Sequence, residues 1–229
     1  MGDRVAFLLD GGFVRAKFTS RIGHFPEAQD VILFVHARMA HPQLADASLF
    51  RIYWYDAPPL AGRKTHPLSR EPYLFESRPT FGRNQRLQDS LATTADVAVR
   101  RGEVVFQGWR LRDQSLAQLR RASRPLEPGD IAPNFEQKGV DLRIGLDVAW
   151  LSLKRIVDTI VLVSGDSDFI PAMKFARREG VRVLLETLGH GVHRGMREHA
   201  DFVFESLQDA GEPIPLTSRG SSAGPTSGG

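Results

Sequence analysis

Five aspartates have the side-chain type and the positions that a metal site requires: Asp10, Asp141, Asp147, Asp166 and Asp168. Asp10 ends the apolar run at residues 4–9, and Asp166 follows the β-branched run at residues 159–164. Carboxylates brought close together repel one another, and a bound cation removes that cost. The chain has no cysteine, so oxygen or imidazole groups must be the ligands, and hard oxygen ligands favour Mg²⁺ or Mn²⁺. We therefore expect these five side chains to form a site for a divalent metal ion.

Each of these aspartates also has a purely structural explanation. Asp10 precedes two glycines and could form an Asx-turn, and Asp168 could be the N-cap of a helix. Asp141 and Asp147 lie roughly 120° apart around one predicted helix, so Asp141 could cap that helix while Asp147 is solvated. The shared site is favoured because two separate strands end in an aspartate.

Strand and helix patterns alternate along the chain. Apolar runs predict strands at residues 4–9, 49–55, 159–164, 181–185 and 202–204. Helical spacing predicts helices at residues 26–39, 139–154 and 169–179, and a short one near 192–199. Residues 97–99 and 103–111 are typical of a hairpin around residues 100–102. This order predicts an α/β fold: a three-layer α/β/α Rossmann-like sandwich with a mainly parallel central sheet and an inserted β-hairpin region. Ligands of such sheets bind at the carboxyl ends of the strands.

Composition predicts one globular domain at residues 1–210, followed by a disordered tail at 211–229 that is rich in Pro, Ser, Thr and Gly. An Arg-rich insertion is predicted at about residues 60–124, because residues 61–124 hold thirteen Lys or Arg against six Asp or Glu. That stretch carries +7 in a chain of net charge +3, so the remainder carries −4. A basic surface of this kind attracts phosphates, although the arginines could also simply keep an insertion soluble.

Other classes of protein lack their sequence signals here. No apolar run approaches the roughly 18 residues of a membrane span, and the N-terminus does not resemble a signal peptide, so a cytoplasmic protein without a membrane partner is expected. The phosphate-binding loop of nucleotide triphosphatases, the dinucleotide fingerprint and the nucleophile elbow of α/β-hydrolases are all missing. Three histidines suggest zinc at first sight, but no carboxylate has the expected spacing, and we interpret them as surface residues: His190, His193 and His199.

Four segments resemble the NYN domain family, the LabA-like branch of the PIN-like nucleases: Leu8-Leu9-Asp10-Gly11-Gly12-Phe13; Lys138-Gly139-Val140-Asp141 with Asp147; Ser164-Gly165-Asp166-Ser167-Asp168-Phe169; and Ala200-Asp201-Phe202. The resemblance spans roughly residues 4–206, and residues 138–169 match best because both spacing and residue type agree. Many relatives have Asn three residues after the first aspartate, where this chain has Phe13.

The resemblance implies a PIN-like fold with an acidic pocket that binds Mg²⁺ or Mn²⁺, and ribonuclease activity. It places catalytic acids at the five aspartates named above. Metal ligands are expected at four of these, namely Asp10, Asp147, Asp166 and Asp168. The departure at Phe13 puts a second polar ligand or substrate contact at that position in doubt.

Further side chains are expected to bind the substrate. Ser164 and Ser167 could hydrogen-bond a metal-bound water or a phosphate, and Lys138 could contact the scissile phosphate or be merely solvated. Positive charge with a stacking face for single-stranded RNA is expected on the predicted hairpin, from Arg100, Arg101, Arg110, Arg112 and Trp109. Trp109 could equally be a core residue.

Three hypotheses of function follow. The main one is a metal-dependent endoribonuclease that hydrolyses phosphodiester bonds of RNA, single-stranded RNA in particular, at an Asp-lined site. The second is a non-catalytic RNA-binding or scaffolding module with the same fold, and the third is a metal-dependent phosphatase acting on small phosphoesters. A homodimer is left open.

Overall fold

A computed structural model describes residues 2–121 and 124–204 of the chain, and its centre is a parallel sheet. The strands in these residues are β1 (Arg4–Asp10), β2 (Ser48–Asp56), β3 (Arg63–Thr65), β4 (Pro72–Leu74), β5 (Val97–Arg101), β6 (Glu103–Leu111), β7 (Ile131–Lys138), β8 (Thr159–Val163), β9 (Arg182–Glu186) and β10 (Phe202–Phe204). Six of them form the central sheet in the order β10-β9-β8-β1-β2-β5, with every neighbouring pair parallel. The first strand of the chain, β1, lies near the middle of the sheet, between β2 and β8.

Helices cover both faces of this sheet. They are α1 (Gly11–Ile22), α2 (Ala28–Met39), α3 (Pro79–Ala92), α4 (Asp113–Arg121), α5 (Val140–Leu153), α6 (Ile170–Arg178) and α7 (Arg194–Glu198), with 3-10 turns at Pro42–Leu44, Pro128–Asp130 and Ser167–Phe169. Helices α1, α2 and α3 pack in one apolar cluster with one face of β1 and β2, and α5, α6 and α7 pack in a second cluster with the other face. The predicted three-layer α/β/α fold with a parallel sheet is confirmed. In the described residues, no helix is long and apolar enough to cross a membrane.

The alternation of side chains along β1 explains why both faces are covered. Phe7 and Leu9 lie in the cluster with α1 and α2, whereas Ala6 and Leu8 lie in the cluster with α5 and α6, and all four are fully buried. A strand that is buried on both faces is apolar throughout, which is why residues 4–9 form a continuous apolar run. The sheet thus fixes where β1 ends and where Asp10 lies.

Three helices were not predicted from the sequence, namely α1, α3 and α4. Helix α1 begins directly at Gly11, because Asp10 is its N-cap, so the glycine pair that indicated a turn is the first turn of a helix. A Cβ at Gly11 would lie 2.8 Å from the carbonyl oxygen of Tyr55, and glycine is therefore required for α1 to pack this closely on β2. Helix α3 lies in the stretch that was expected to be irregular, and its Leu87 and Leu91 complete the core beside β5.

The pairing predicted for the hairpin at residues 97–99 and 103–111 is wrong. β5 instead extends the central sheet, in parallel with β2, and β6 pairs antiparallel with β7. The change of partner occurs at Gly102, where a Cβ would lie 2.8 Å from the carbonyl oxygen of Lys138. Pairing with β2 lets β5 bury apolar side chains that a local hairpin would leave exposed. The half-buried Val97 and Val99 pack on the core cluster beside α3. An inserted antiparallel ribbon is present, but its strands are β6 and β7.

A second ribbon, β3 with β4, lies against β6 and β7 through a group of aromatic rings. We call it the aromatic cluster, and its members are His66, Tyr73, Phe75, Phe106, Trp109 and Phe135. The Trp109 ring makes edge contacts with three of these rings, at centroid distances of 4.8 to 5.6 Å. The Arg-rich insertion thus has a small core of its own. The tail predicted at residues 211–229 lies outside the described residues.

Candidate active site

The carboxyl ends of β1 and β8 are joined by a short chain of hydrogen bonds. The Ser164 hydroxyl donates to Oδ2 of Asp10 at 3.2 Å, and the backbone N–H of Asp166 donates to the same hydroxyl oxygen at 3.2 Å. Because Ser164 is fully buried, its hydroxyl must form its hydrogen bonds with groups inside the protein. Two strand ends that are more than 150 residues apart in sequence therefore hold Asp10 and Asp166 at one edge of the sheet.

Both of these aspartates also satisfy backbone groups. Oδ1 of Asp10 accepts a hydrogen bond from the backbone N–H of Phe13 at 3.1 Å, as the N-cap of α1. Oδ1 of Asp166 accepts one from the backbone N–H of Asp168 at 2.9 Å, as the N-cap of the 3-10 turn at Ser167–Phe169. The cap in that loop is thus Asp166 rather than Asp168, which the sequence had suggested as an alternative. Capping fixes the direction of each carboxylate and leaves each with a second oxygen.

Negative charge accumulates at this edge. Burial raises the pKa of Asp10 above its ordinary value, and the charges of Asp141 and Asp56 raise it further, against hydrogen bonds from Phe13 and Ser164. Burial also raises the pKa of Asp141, and the carboxylates of Asp166 and Asp168 add to that effect. We call Asp10, Asp141, Asp166 and Asp168 the edge carboxylates.

The edge carboxylates form no ion pair with Lys or Arg in the part of the chain that the structure describes. Other aspartates and glutamates of the molecule do, at N–O distances such as 2.9 Å for Asp56 with Arg15 and 3.1 Å for Asp147 with Arg100. Carboxylates that gather without a counter-charge are unfavourable unless something else neutralises them. The edge therefore has the charge of a cation site.

The structure does not bring Asp147 into this group. Oδ2 of Asp147 accepts hydrogen bonds from the hydroxyl of Tyr55 at 2.8 Å and from Nε of Arg100 at 3.1 Å. Asp147 lies six residues further along α5 than Asp141, about 9 Å along the helix axis at 1.5 Å per residue. Its negative charge and hydrogen bond also raise the pKa of the buried Tyr55 hydroxyl, after the larger effect of burial.

The basic residues predicted to bind substrate are spread over several elements. Arg100 pairs with Asp147, Arg101 with Asp89 and Arg110 with Asp113. Lys138 ends β7, is half exposed, and lies 3.7 Å from Glu136. Arg112 donates from Nε to the carbonyl oxygen of Gly129. These side chains do not form one surface on one hairpin, because β5 and β6 do not pair with each other: β5 pairs with β2, and β6 pairs with β7.

Two other predicted substrate ligands have different surroundings. Ser167 is exposed at the start of its 3-10 turn, between Asp166 and Asp168. Trp109 is half buried in the aromatic cluster, where its ring edges are occupied by His66, Tyr73 and Phe106. The structure therefore agrees with the alternative in which Trp109 is a core residue, here of the insertion.

Sequence reasoning missed Asp56, which ends β2 beside Asp10. Its side chain is fully buried, and Oδ1 accepts from Nη2 of Arg15 at 2.9 Å, from the backbone N–H of Ala57 at 2.9 Å and from Nε2 of Gln137 at 3.1 Å. Burial raises the pKa of Asp56, and Arg15 opposes that rise. The available signal was that a third strand ends in an aspartate, but the two prolines after it had suggested only a turn.

Phe13 shapes the other side of the edge. Its ring meets His190 edge-on at a centroid distance of 5.9 Å, and a Cβ at Gly165 would lie 2.9 Å from both rings. Nζ of Lys17 contacts Nδ1 of His190 at 2.9 Å. The position where relatives have Asn thus presents an apolar ring beside Asp10, while the backbone N–H of Phe13 still binds the carboxylate.

The donor set at this edge fits a hard divalent cation, because its charged groups are all carboxylates. In the described residues, no three His, Asp or Glu side chains are close enough to enclose an ion directly. Mg²⁺ keeps several of its waters and is usually held by only one or two carboxylates, so a complete protein cage is not required. Asp10 and Asp166, with Asp141 and Asp168 beside them, could hold such a hydrated ion.

Comparison with known proteins identifies one family. A family model of the NYN domain matches residues 92–206, which is half of the chain. The matched part contains Asp141, Asp147, Asp166 and Asp168, whereas Asp10 and Asp56 precede it.

Individual relatives are distant. An uncharacterized protein of Methanocaldococcus jannaschii is 29% identical over 73 residues, which is 32% of this chain and 30% of that protein, so the chain spans less than a third of the relative's length. A protein of unknown function from Vibrio parahaemolyticus has a TM-score of 0.49 and 16% identity, covering 88% of this chain and 91% of its own. A structure described for the mechanism and regulation of Sir2 enzymes has a TM-score of 0.36 and 10% identity, covering 94% and 90%.

Proposed function

Because this chain belongs to the NYN domain family, whose domain is of the nuclease type, we propose that it is a metal-dependent endoribonuclease that cuts single-stranded RNA. The observation that carries the proposal is the group of edge carboxylates, which gather at the carboxyl edge of a parallel sheet without an ion-pair partner in the described residues. Ligands of such sheets bind at this edge. The preference for RNA rests on the resemblance to the family.

Asp10 and Asp166 would hold the cation, Mg²⁺ or Mn²⁺, with Asp141 and Asp168 completing its charge balance. When bound, the cation would lower the pKa of a water and stabilise the negative charge that develops on the scissile phosphate. The chain supplies the orientation: the buried Ser164 hydroxyl holds Oδ2 of Asp10, and the backbone N–H of Phe13 holds Oδ1. Because these donors are fixed by strand and helix ends, the carboxylate is already aligned before substrate binds.

The remaining side chains would place the substrate around this edge. Ser167 is exposed between Asp166 and Asp168, where its hydroxyl can donate to a phosphate oxygen. Lys138 is exposed at the end of β7, directly before α5 begins, and precedes Asp141 by three residues in the sequence. Asp147 is proposed to influence the site without contacting the cation, because its carboxylate already accepts hydrogen bonds from Tyr55 and Arg100.

The proposal is tested by incubating the full chain with end-labelled single-stranded RNA, with Mg²⁺ or Mn²⁺ and with EDTA. The informative variant is Asp166→Asn, which keeps an oxygen for the cap of the 3-10 turn but removes the charge. Its matched control is Asp158→Asn, at the opposite end of the same strand, where the carboxylate accepts from the backbone N–H of Arg4 at 2.8 Å. Cleavage that needs metal, is lost in Asp166→Asn and persists in Asp158→Asn is the expected result.

A second candidate is an RNA-binding module without catalysis, and the apolar ring of Phe13 at the family's polar position favours it. RNA that is retarded in a gel but stays intact with either metal would support this candidate and contradict the nuclease. RNA that is neither cut nor retarded, combined with metal-dependent turnover of a chromogenic phosphoester, would point to a phosphatase instead. Cleavage of a DNA oligonucleotide at the same rate would correct the choice of substrate while leaving the site in place.

A further inference from the structure

The aromatic cluster of the insertion is open to solvent on one side. Phe135 is 44% exposed, although its ring contacts those of Phe75 and Phe106 at centroid distances of 5.5 and 6.4 Å. These two rings are inclined to that of Phe135 by 67° and 61°, so neither is stacked on it. Exposed rings that are held by their neighbours are the surfaces on which the bases of single-stranded nucleic acids stack.

Two cations border the same cluster. Nζ of Lys64 lies 5.6 Å from the centroid of the Phe106 ring, and the guanidinium carbon of Arg78 lies 4.1 Å from that of Tyr73. Lys64 and Tyr73 are directly opposite each other in the β3–β4 ribbon, so both cations lie on the side of the ribbon that carries Tyr73. Both side chains are exposed, and neither forms an ion pair within residues 2–121 and 124–204. Their positive charge is therefore available to an anionic ligand.

The acidic side chains of this region do not cancel that charge. Residues 63–78 hold four Lys or Arg against two Glu, and Glu76 accepts a hydrogen bond from the backbone N–H of Gly62 at 2.7 Å. Glu136 follows Phe135 and so points to the other face of β7, where it lies 3.7 Å from Lys138. The open side of the cluster thus combines aromatic rings with positive charge. This combination fits a single-stranded nucleic acid, whose bases stack on rings while its phosphates meet cations.

Strand β7 connects the cluster to the candidate active site. Phe135 and Gln137 are two residues apart, so they lie on the same face of β7, about 7 Å apart along the strand. Nε2 of Gln137 donates to Oδ1 of Asp56 at 3.1 Å, and its Oε1 lies 3.8 Å from the position of a Cβ on Gly12. That same Cβ position is 3.4 Å from Oδ1 of Asp10. A strand with one phosphate at the edge carboxylates can therefore reach Phe135 with a base a few nucleotides away.

We propose that Phe135, Lys64 and Arg78 form a stacking surface for single-stranded RNA, in which a base lies on Phe135 and the two cations contact phosphates. This inference rests on the proposed function, because it places the strand that the edge carboxylates would cut. It assigns the selection of single strands to the insertion, since a base that is paired in a duplex cannot lie on Phe135. The match to the family model begins at residue 92, so Lys64 and Arg78 precede the matched part of the chain.

Fluorescence anisotropy of a labelled single-stranded RNA with the full chain, in EDTA, measures binding without cleavage. Phe135→Leu keeps an apolar side chain in the cluster but removes the ring, so the Kd should rise by at least about fivefold, as for the loss of one stacked base. Phe135→Tyr keeps the ring and should bind like the wild type, and circular dichroism checks that both variants are folded. Duplex RNA of the same sequence should bind all three proteins equally. Unchanged binding of the single strand by Phe135→Leu would overturn the stacking role.

The salt dependence of the same binding tests the two cations. Lys64→Gln and Arg78→Gln should each reduce the slope of log affinity against log salt concentration by about 0.7, because one phosphate contact fewer releases fewer counterions. A side chain that only supports the cluster would not change this slope. The control is Lys154→Gln, an exposed lysine at the end of α5 remote from the edge carboxylates, which should keep the wild-type slope. Wild-type slopes in both Lys64→Gln and Arg78→Gln would overturn the role of the cations.

This proposal and the nuclease proposal fail in different ways. RNA that is bound but never cut with Mg²⁺ or Mn²⁺, with an affinity that depends on Phe135 and Lys64, would contradict the nuclease and support the stacking surface. RNA that is cut by Phe135→Leu and Lys64→Gln with the wild-type KM would contradict the stacking surface and leave the nuclease in place. A wild-type chain that binds duplex RNA more tightly than single strands, or binds no single strand, also overturns the stacking surface.

Discussion

The carboxylates of this protein belong to two kinds of surroundings. Asp56, Asp147 and Glu186 are each paired with an arginine, at N–O distances of 2.9, 3.1 and 2.5 Å. Among the edge carboxylates, Asp10 and Asp166 accept hydrogen bonds from hydroxyl or backbone groups, and none of the four pairs with an arginine in the described residues. The difference separates the two roles: paired carboxylates hold elements together, and the unpaired ones carry charge that is available to a cation.

The largest effect is expected from Asp10→Asn on cleavage. Asn keeps a side-chain oxygen for the N-cap of α1, so the free energy of unfolding should change little. The negative charge is lost, and cleavage of RNA should fall by at least about 100-fold, as it does when a group that stabilises transition-state charge is removed. Single-turnover cleavage and urea denaturation measure the two quantities. A fall in stability with normal cleavage would reverse the roles assigned to the two kinds of carboxylate.

Asp56→Asn should show the opposite pattern. Arg15 would lose its counter-charge, with 19% of its side chain exposed, and breaking such a mostly buried pair costs about 2–3 kcal/mol of unfolding free energy. Cleavage by the folded fraction should fall by less than about tenfold, because Asp56 only adjoins the edge. Urea denaturation with activity corrected for the folded fraction tests this. A loss of cleavage equal to that of Asp10→Asn would place Asp56 in the site itself.

A pH-dependent effect is expected at Glu186, which is fully buried against Arg38. Burial raises its pKa to about 7 from an ordinary 4.5. A group whose pKa is raised in the folded state contributes stability below its unfolded pKa, and that contribution is lost as the pH rises through the folded pKa. The wild-type chain should therefore lose about 1–3 kcal/mol more than Glu186→Gln between pH 5 and 8. Equal slopes in urea denaturation across that range would show that Glu186 stays ionised throughout.

The smallest effect is expected from Arg100→Ala. Its side chain is 44% exposed and that of Asp147 is 21% exposed, so the ion pair should contribute only about 0.2–1 kcal/mol. Asp147 keeps its hydrogen bond from Tyr55, and cleavage should fall by less than about threefold. Thermal unfolding and RNA cleavage measure both. A loss comparable with that of Asp10→Asn would mean that Arg100 and Asp147 belong to the site, as the resemblance to the family implies for Asp147.

Much of the fold could be predicted because the buried strands are apolar and short. The strand at residues 202–204 has the predicted bounds, and the strands at residues 4–9 and 159–164 differ from β1 and β8 by a single residue. The predictions that failed concern contacts between residues that are far apart in the sequence. Whether residues 97–99 pair with the next strand or with β2 depends on a core formed by residues far away in sequence.

In the candidate site, too, the features with a local sequence signal could be predicted, and those that depend on long-range contacts could not. Asp10 and Asp166 each follow a buried strand, so their common edge could be inferred from the order of the elements. The arginine partners of Asp56 and Asp147 could not, because Arg15 and Arg100 come from other elements and only the packed structure brings them together. A sequence pattern shows which carboxylates exist, but not which of them are already neutralised.

The position of β1 between β2 and β8 has a consequence for how the protein is made. During synthesis β1 can pair with β2 early, but its other edge has no partner until residues 159–163 are complete. Until then the strand has an open hydrogen-bonding edge, which is prone to association with other chains. The Ser164 contact that holds Asp10 forms only after β8 inserts. The hydrogen bonds that hold Asp10 and Asp166 together at the candidate site therefore require both β1 and the end of β8, the latest part of the site to be synthesised.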